Sequence, residues 1–121
     1  MSRRDDRISL LDMLIYAKEA VALSGKTNLN DLVENRVMQL ALQKLVEIVG
    51  EAANRVSEET QQKHTAIPWP QIIGLRNRLV HGYDDVNLDI LWKIIQNDLS
   101  PLIEQLKAIV GEEPSETGDQ L

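Results

Sequence analysis

The chain has 121 residues, of which 43% are hydrophobic and none is Cys, and its net charge is −6. This is one ordinary domain with enough apolar residues for a core. The excess of acidic residues argues against a protein that binds a long stretch of nucleic acid by neutralising its phosphates. The absence of Cys excludes disulfides and thiolate metal sites. There is neither an apolar run of about 20 residues nor an N-terminal segment of signal-peptide type, so we expect a cytoplasmic protein that does not bind membranes.

The first half of the chain predicts two long helices. Residues 5–24 carry apolar side chains at helical spacing and stop before Gly25, as helices often do. Residues 26–35 are polar and turn-like, with room for one short helical turn. The longest predicted helix covers residues 36–60. Its apolar stripe consists of Val37, Leu40, Ala41, Leu45, Ile48, Val49, Ala52 and Val56.

A polar connector at residues 61–67 leads into a third helix. Pro68 and Pro70 suit the first turn of a helix, where a missing N–H costs nothing. We expect this helix to run to about Val80 or His81 and to stop at Gly82.

The last predicted helix covers residues 88–110. Asp84, Asp85 and Asn87 offer N-cap chemistry before it, and Pro101 must kink or divide it near residue 98. The acidic residues 111–121 are expected to form a disordered tail. The sequence therefore predicts a single all-α domain over residues 1–110, an antiparallel bundle of four to five helices.

The segment Arg76-Asn77-Arg78-Leu79-Val80-His81-Gly82-Tyr83 gathers the polar groups that could perform chemistry. Two guanidinium groups, an amide, an imidazole and a phenol lie within about two helical turns. The set can bind an anion and transfer a proton, but it has no obvious nucleophile with a base and no metal cluster. It suits a phosphate or a phosphodiester, because Arg can stabilise phosphoryl oxygens while His moves protons.

On a helical wheel that starts at Ile72, Arg76 falls inside the apolar arc. A buried Arg needs a partner, because an unpaired buried charge costs several kcal/mol. The partner could be a carboxylate, a second chain or an anionic ligand. Glu47 and Glu51 are the available carboxylates, although together with Arg55 they also have the spacing of an ordinary surface ladder. A purely structural Arg–Glu pair is thus an alternative.

Asn77 and His81 are four residues apart, so the amide could orient the imidazole. His81 could instead simply favour the helix dipole from the last turn, and Tyr83 could be a packing residue. Asp84 and Asp85 are adjacent carboxylates of the kind that usually only cap a helix.

The motif resembles the HEPN family, and specifically the HepT-like toxins that are paired with a small nucleotidyltransferase. The R-x4-H-x-Y pattern of such proteins is complete here as Arg76, His81 and Tyr83, with Asn77 as the polar residue after the Arg. The flanking segments 48–53 and 67–69 also match, and the resemblance covers roughly residues 5–110.

The resemblance implies a homodimeric, metal-independent ribonuclease without a cofactor, in which the motifs of two protomers meet at the interface. His81 would act as general acid or base, Arg76 would stabilise the phosphorane and Asn77 would position His81 or the phosphate. Arg78, Glu47 and Glu51 would support the site. DNA lacks the 2′-hydroxyl that such a reaction uses as its nucleophile.

The resemblance also implies a partner, a cognate nucleotidyltransferase antitoxin that attaches AMP to Tyr83. The added phosphates would occlude and neutralise the site, much as phosphorylation does. Two other functions stay open: a non-catalytic subunit that binds a nucleotide or the partner enzyme, and a helical dimerisation module. RNA cleavage by the unmodified protein distinguishes the ribonuclease from both.

Much of the acidity lies in the tail. Residues 112–121 hold four acidic and no basic residues, and without them 13 basic and 15 acidic residues remain, a net charge of −2. Residues 36–81 hold six basic and four acidic residues, a net charge of +2. The distribution of charge therefore predicts a small cationic cleft that binds RNA weakly, and it does not exclude a function that acts on RNA.

Overall fold

The structure, a computed structural model, describes residues 3–79 and 86–111 of the chain. Its elements are α1 (Arg3–Ser24), α2 (Leu29–Val33), α3 (Arg36–Arg55), α4 (Glu58–Lys63), α5 (Trp69–Ile73), α6 (Leu75–Leu79), α7 (Leu88–Lys93), a π-helical segment (Ile94–Leu99) and α8 (Ser100–Val110). The all-α bundle predicted from the sequence is confirmed. The residues of the predicted site and tail that lie outside the described ranges are Val80, His81, Gly82, Tyr83, Asp84, Asp85 and residues 112–121.

Helix α1 is the centre of the bundle, because it packs along both α3 and α8. Its buried face carries Leu10, Met13, Ala17 and Ala20, and the two alanines allow close approach of the neighbouring helices. Ile8 and Ile15 also belong to the apolar residues of the predicted helix at 5–24, but both side chains are about half exposed, on the side of α1 away from this face.

Asp6 anchors the start of α1 to the end of α3, which shows that the two helices are antiparallel. Its carboxylate is 4% exposed. It accepts hydrogen bonds from the Ser57 N–H at 2.9 Å, the Ser57 hydroxyl at 2.6 Å and the Thr60 hydroxyl at 2.5 Å. The sequence analysis assigned no role to Asp6, because its partners lie more than 50 residues away.

We expect this anchor to make stability depend on acid pH. Burial raises the pKa of the Asp6 carboxyl, but the hydrogen bonds from Ser57 and Thr60 outweigh burial and hold the pKa below its ordinary value of 3.8. A carboxyl whose pKa is lower in the folded state stabilises the protein above pH 3.8, and this stabilisation is lost as the pH falls through the folded-state pKa.

Asp6→Asn should therefore lower the free energy of unfolding by about 2 kcal/mol at neutral pH, because charge-assisted hydrogen bonds are lost. The difference from wild type should shrink below pH 3.8. Urea unfolding of both proteins across this range measures it, with Glu19→Gln, an exposed change on the same helix, as the control. A difference that is the same at all pH values would contradict the assignment.

The long helix is shorter than predicted. Helix α3 ends at Arg55 rather than near residue 60, and Val56 leaves it in an extended conformation. The Ser57 hydroxyl accepts a hydrogen bond from the Thr60 N–H at 3.2 Å and so caps α4, which occupies part of the predicted connector. In the apolar stripe of α3, Val37 and Leu40 are 77% and 47% exposed, so the buried face of this helix is narrower than the sequence indicated.

The helix predicted from Pro68 to Val80 or His81 is divided at Gly74 into α5 and α6. Pro68 and Pro70 do lie at the start of α5, as predicted. Gly74 leaves helical geometry at φ −86° and ψ 9°, and its N–H still donates to the Pro70 carbonyl at 3.0 Å. The buried Trp69 fixes α5, since its indole N–H donates to the His64 carbonyl at 3.0 Å.

The last helical stretch agrees with the prediction in extent and in its cap. Asn87 caps α7 by accepting a hydrogen bond from the Ile90 N–H at 3.0 Å. The α-helical pattern changes to a π-helical one over Ile94–Leu99, immediately before Pro101. A wider turn at this point avoids the clash between the Pro101 ring and the Asn97 carbonyl, so the helix continues without being divided.

Within residues 3–79 and 86–111, no helix combines the length and the apolar character that a membrane span needs.

Candidate functional site

Helix α6 carries three consecutive polar residues of the motif on one turn. Leu75 and Leu79 are fully buried and hold the turn against the bundle. Arg76, Asn77 and Arg78, between them, are exposed. The sequence therefore places two guanidinium groups and an amide at the surface, on a turn fixed by apolar residues at i and i+4.

Gly50 explains how this turn lies so close to α3. A Cβ atom at this position would lie 3.2 Å from the Ile72 carbonyl oxygen and 3.8 Å from Leu75 Cβ. Gly inside a helix costs about 1 kcal/mol relative to Ala, so the residue is favoured here by the close passage of the α5–α6 backbone. Gly50 belongs to the segment 48–53 that carries part of the family resemblance.

The structure corrects the expected burial of Arg76. The wheel assumed one continuous helix from Ile72, and the break at Gly74 turns Arg76 outwards instead. Among the described residues, no carboxylate forms an ion pair with Arg76. Glu47 accepts a hydrogen bond from the Gln43 amide at 3.1 Å, and Glu51 is exposed. The carboxylate partner considered from the sequence is therefore not found among the described residues. Because Arg76 is exposed it needs no internal partner, and its guanidinium is accessible to water, to a second chain or to an anionic ligand.

The supposed ladder along α3 is not formed either. Over the described part of the chain, neither Glu47 nor Glu51 forms an ion pair with Arg55. Glu47 and Glu51 lie close to Gly50 in the sequence, but neither carboxylate forms an ion pair or a hydrogen bond with Arg76.

Arg78 has a partner that sequence reasoning missed. Its Nη1 atom donates to Asp98 Oδ2 at 2.8 Å, and the two side chains are 38% and 19% exposed. Asp98 lies 20 residues further along the chain, in the π-helical segment, so no local spacing could have signalled the pair. The proximity of Pro101 was the only sequence feature that marked this region.

His81 and Tyr83 lie outside the described residues, but the two ends of their segment are described. The Asn87 N–H donates to the Leu79 carbonyl at 3.0 Å. Leu79, which precedes this segment in the chain, and Asn87, which follows it, are therefore neighbours at the C-terminal end of α6.

Comparison with known proteins gives the same family as the resemblance of the Arg76-to-Tyr83 motif. The family model described as ribonuclease HepT-like matches residues 13–109. A protein of Methanocaldococcus jannaschii named "Putative RNase MJ1380" is 28% identical over 90% of this chain and its own full length. A protein of Caldanaerobacter subterraneus subsp. tengcongensis named "Putative RNase TTE0752" is 36% identical over 69% of this chain and 74% of its own.

A third relative, "Probable ribonuclease HepT" of Thermococcus cleftensis, is 31% identical over 60% of this chain and 66% of its own. No solved structure gives a significant match. The family match spans the bundle from α1 to α8 and includes the whole Arg76-to-Tyr83 motif, so the chain belongs to the HepT-like ribonuclease family.

Proposed function

We propose that this protein is a metal-independent endoribonuclease, the toxin of a type VII-like toxin–antitoxin pair. The observation that carries the proposal is the exposed guanidinium of Arg76, which has no carboxylate partner among the described residues and stands five positions before His81. A cation that forms no ion pair with the described residues, and that stands five positions from an imidazole in the sequence, is suited to a phosphodiester. The names of the relatives support a ribonuclease at the level of the family.

The proposed reaction is an internal transesterification of RNA. His81 accepts the proton of the 2′-hydroxyl as the 2′-oxygen forms a bond to the adjacent phosphorus, and the bond from phosphorus to the 5′-oxygen breaks. The leaving 5′-oxygen takes up a proton from an imidazolium, which leaves a 2′,3′-cyclic phosphate. Arg76 stabilises the charge on the phosphorane oxygens, and Asn77 positions His81 or the phosphate. Side chains thus supply both the proton transfer and the charge stabilisation, and no step calls for a metal.

The proposal includes a homodimer with the site at its interface. Two copies of α6 would double the number of Arg76 and Arg78 side chains around one scissile phosphate. Exposed apolar side chains on the outer surfaces of α1 and α3 support such an interface: Ile8, Ile15, Val37 and Leu40.

The proposal further includes regulation by a nucleotidyltransferase antitoxin that attaches AMP to the Tyr83 hydroxyl. We expect the intact mass of protein co-expressed with the cognate enzyme to rise in steps of one AMP unit, because the phenol is the acceptor. The same steps should be absent from Tyr83→Phe, and mass increments that persist in that variant would contradict the assignment.

The test of the function is cleavage of a structured RNA by the unmodified protein in EDTA, followed by analysis of the product ends. Cyclic phosphate ends that appear with wild type and disappear with Arg76→Ala and His81→Ala support the proposal. Equal cleavage by all three proteins would identify a contaminating nuclease. Binding of RNA or of the partner enzyme without any cleavage would instead indicate a non-catalytic binding subunit.

A further inference from the structure

Helix α6 is too short to fix its own orientation. It has five residues, Leu75–Leu79, and isolated helices of this length are not stable in water. Its two buried anchors, Leu75 and Leu79, lie almost on one line parallel to its axis, because they are four residues apart. Two anchors on one line resist rotation about that line only weakly, and any rotation that the backbone at the two ends of α6 permits would move the side chain of Arg76.

The ion pair between Arg78 and Asp98 lies to one side of this line. At about 100° per residue, Arg76 projects from one flank of the two leucines and Arg78 from the other. The Nη1–Oδ2 distance of 2.8 Å is that of a charge-assisted hydrogen bond. The pair of Arg78 with Asp98 therefore attaches α6 on the flank opposite to Arg76, where an attachment resists the rotation.

Asp98 is itself held firmly. It lies in the π-helical segment between Ile95 and Leu99, both fully buried, and only 19% of its side chain is exposed. The other ion pairs described, Lys63–Glu59 and Lys107–Glu104, join neighbours on one helix, are longer at 3.9 Å and 3.6 Å, and are more exposed. The pair of Arg78 with Asp98 is therefore the shortest and least exposed of these three, and it connects two separate elements.

We propose that Asp98 is a positioning residue, which fixes the roll of α6 through Arg78 and thereby directs Arg76 towards the scissile phosphate. The catalytic part of this inference rests on the proposed function. It divides the work of the two arginines: the guanidinium of Arg78 is engaged by Asp98, whereas that of Arg76 is left for the substrate.

The experiment compares Asp98→Asn, Arg78→Gln and the exchanged pair Arg78→Asp with Asp98→Arg. Glu104→Gln, which removes a carboxylate from an ion pair on the same helical stretch, is the matched control. We expect Asp98→Asn and Arg78→Gln to lower kcat for RNA cleavage about ten- to hundredfold with KM nearly unchanged, because a shift of about 1 Å at a reacting group has effects of this size. The exchanged pair should recover most of kcat, and Glu104→Gln should keep the kcat of wild type.

Amide hydrogen exchange tests the same pair without any catalysis. Asp98→Asn should speed exchange in α6 and leave α1 and α8 as in wild type, whereas Glu104→Gln should leave α6 unchanged. If Asp98→Asn has the kcat of wild type and the same rate of amide hydrogen exchange in α6, the proposal is overturned. The proposal is also overturned if the double variant Arg78→Asp with Asp98→Arg is as inactive as Arg78→Gln while Asp98→Asn is fully active. In that case Arg78 would act on RNA directly. If wild type cleaves no RNA, the proposed function fails, and the exchange result alone decides whether Asp98 orders α6.

Discussion

Arg76→Ala is expected to lower the rate of RNA cleavage by roughly a hundred- to thousandfold, the usual cost of removing one group that stabilises charge in a transition state. The same change should leave the thermal unfolding temperature almost unaltered. Arg76 is exposed and forms no ion pair with the described residues, and surface substitutions of this kind usually change stability by less than about 0.5 kcal/mol. A large loss of activity with no loss of stability is the signature of a functional side chain.

Two controls test whether the effect comes from losing any surface cation or from losing the guanidinium group of Arg76. Lys107→Ala removes an exposed cation of α8, and we expect both its activity and its stability to stay close to those of wild type. Arg76→Lys should recover only part of the activity, because an ammonium group cannot form the paired hydrogen bonds that a guanidinium forms with phosphate. Wild-type cleavage by Arg76→Ala would remove the main support of the proposed function. A fall in unfolding temperature that matches the loss of activity would point to a structural Arg instead.

The sequence was sufficient to predict those parts of the fold that depend on local spacing. The apolar periodicity gave the extent of α1 to within two residues at its start, and Asn87 was identified as a candidate cap before the structure showed its bond to Ile90. The sequence also predicts a disturbance near Pro101, and the structure has a π-helical segment there. In each case the cause lies within a few residues of its effect.

The parts that were not predicted depend on contacts between distant segments. The break at Gly74 accompanies the close packing of the α5–α6 backbone on Gly50, and no helical wheel contains that contact. The wheel therefore placed Arg76 in the apolar arc, although the structure exposes it. The pairs of Asp6 with Ser57 and of Arg78 with Asp98 are equally non-local. The candidate site could be identified as a motif from the sequence, but its orientation depends on these contacts.

The exposed apolar side chains of α3 lead to the second large effect, on assembly. At about 100° per residue, Val37, Leu40, Lys44 and Glu51 share one face of this helix, away from its buried stripe. Arg55 has the same angle as Val37, so the face carries two apolar side chains, two cations and one carboxylate. Such a surface can pair with itself across a two-fold axis, where Lys44 of one copy could meet Glu51 of the other.

A double variant, Val37→Glu with Leu40→Glu, should therefore change the state of assembly as well as the activity. We expect wild type to have twice the 13.7 kDa mass of one chain in light scattering, and the double variant to have the mass of one chain. RNA cleavage should fall to background, because a site shared between two copies of α6 cannot form in a monomer. The fold itself should persist, since Val37 and Leu40 are 77% and 47% exposed and contribute little to the core.

The control is Ala108→Glu, which adds one negative charge, against two in the double variant, at an exposed position of α8 beside residues 63–67, and it should stay dimeric and active. Circular dichroism establishes that each variant keeps its helices. A folded monomer that still cleaves RNA would show that one copy contains a complete site. A double variant that remains a dimer would place the interface on another surface. A folded, inactive monomer beside an active Ala108→Glu dimer would tie the chemistry to the pairing of two α6 turns, because both proteins keep Arg76 and His81 and only one of them forms a dimer.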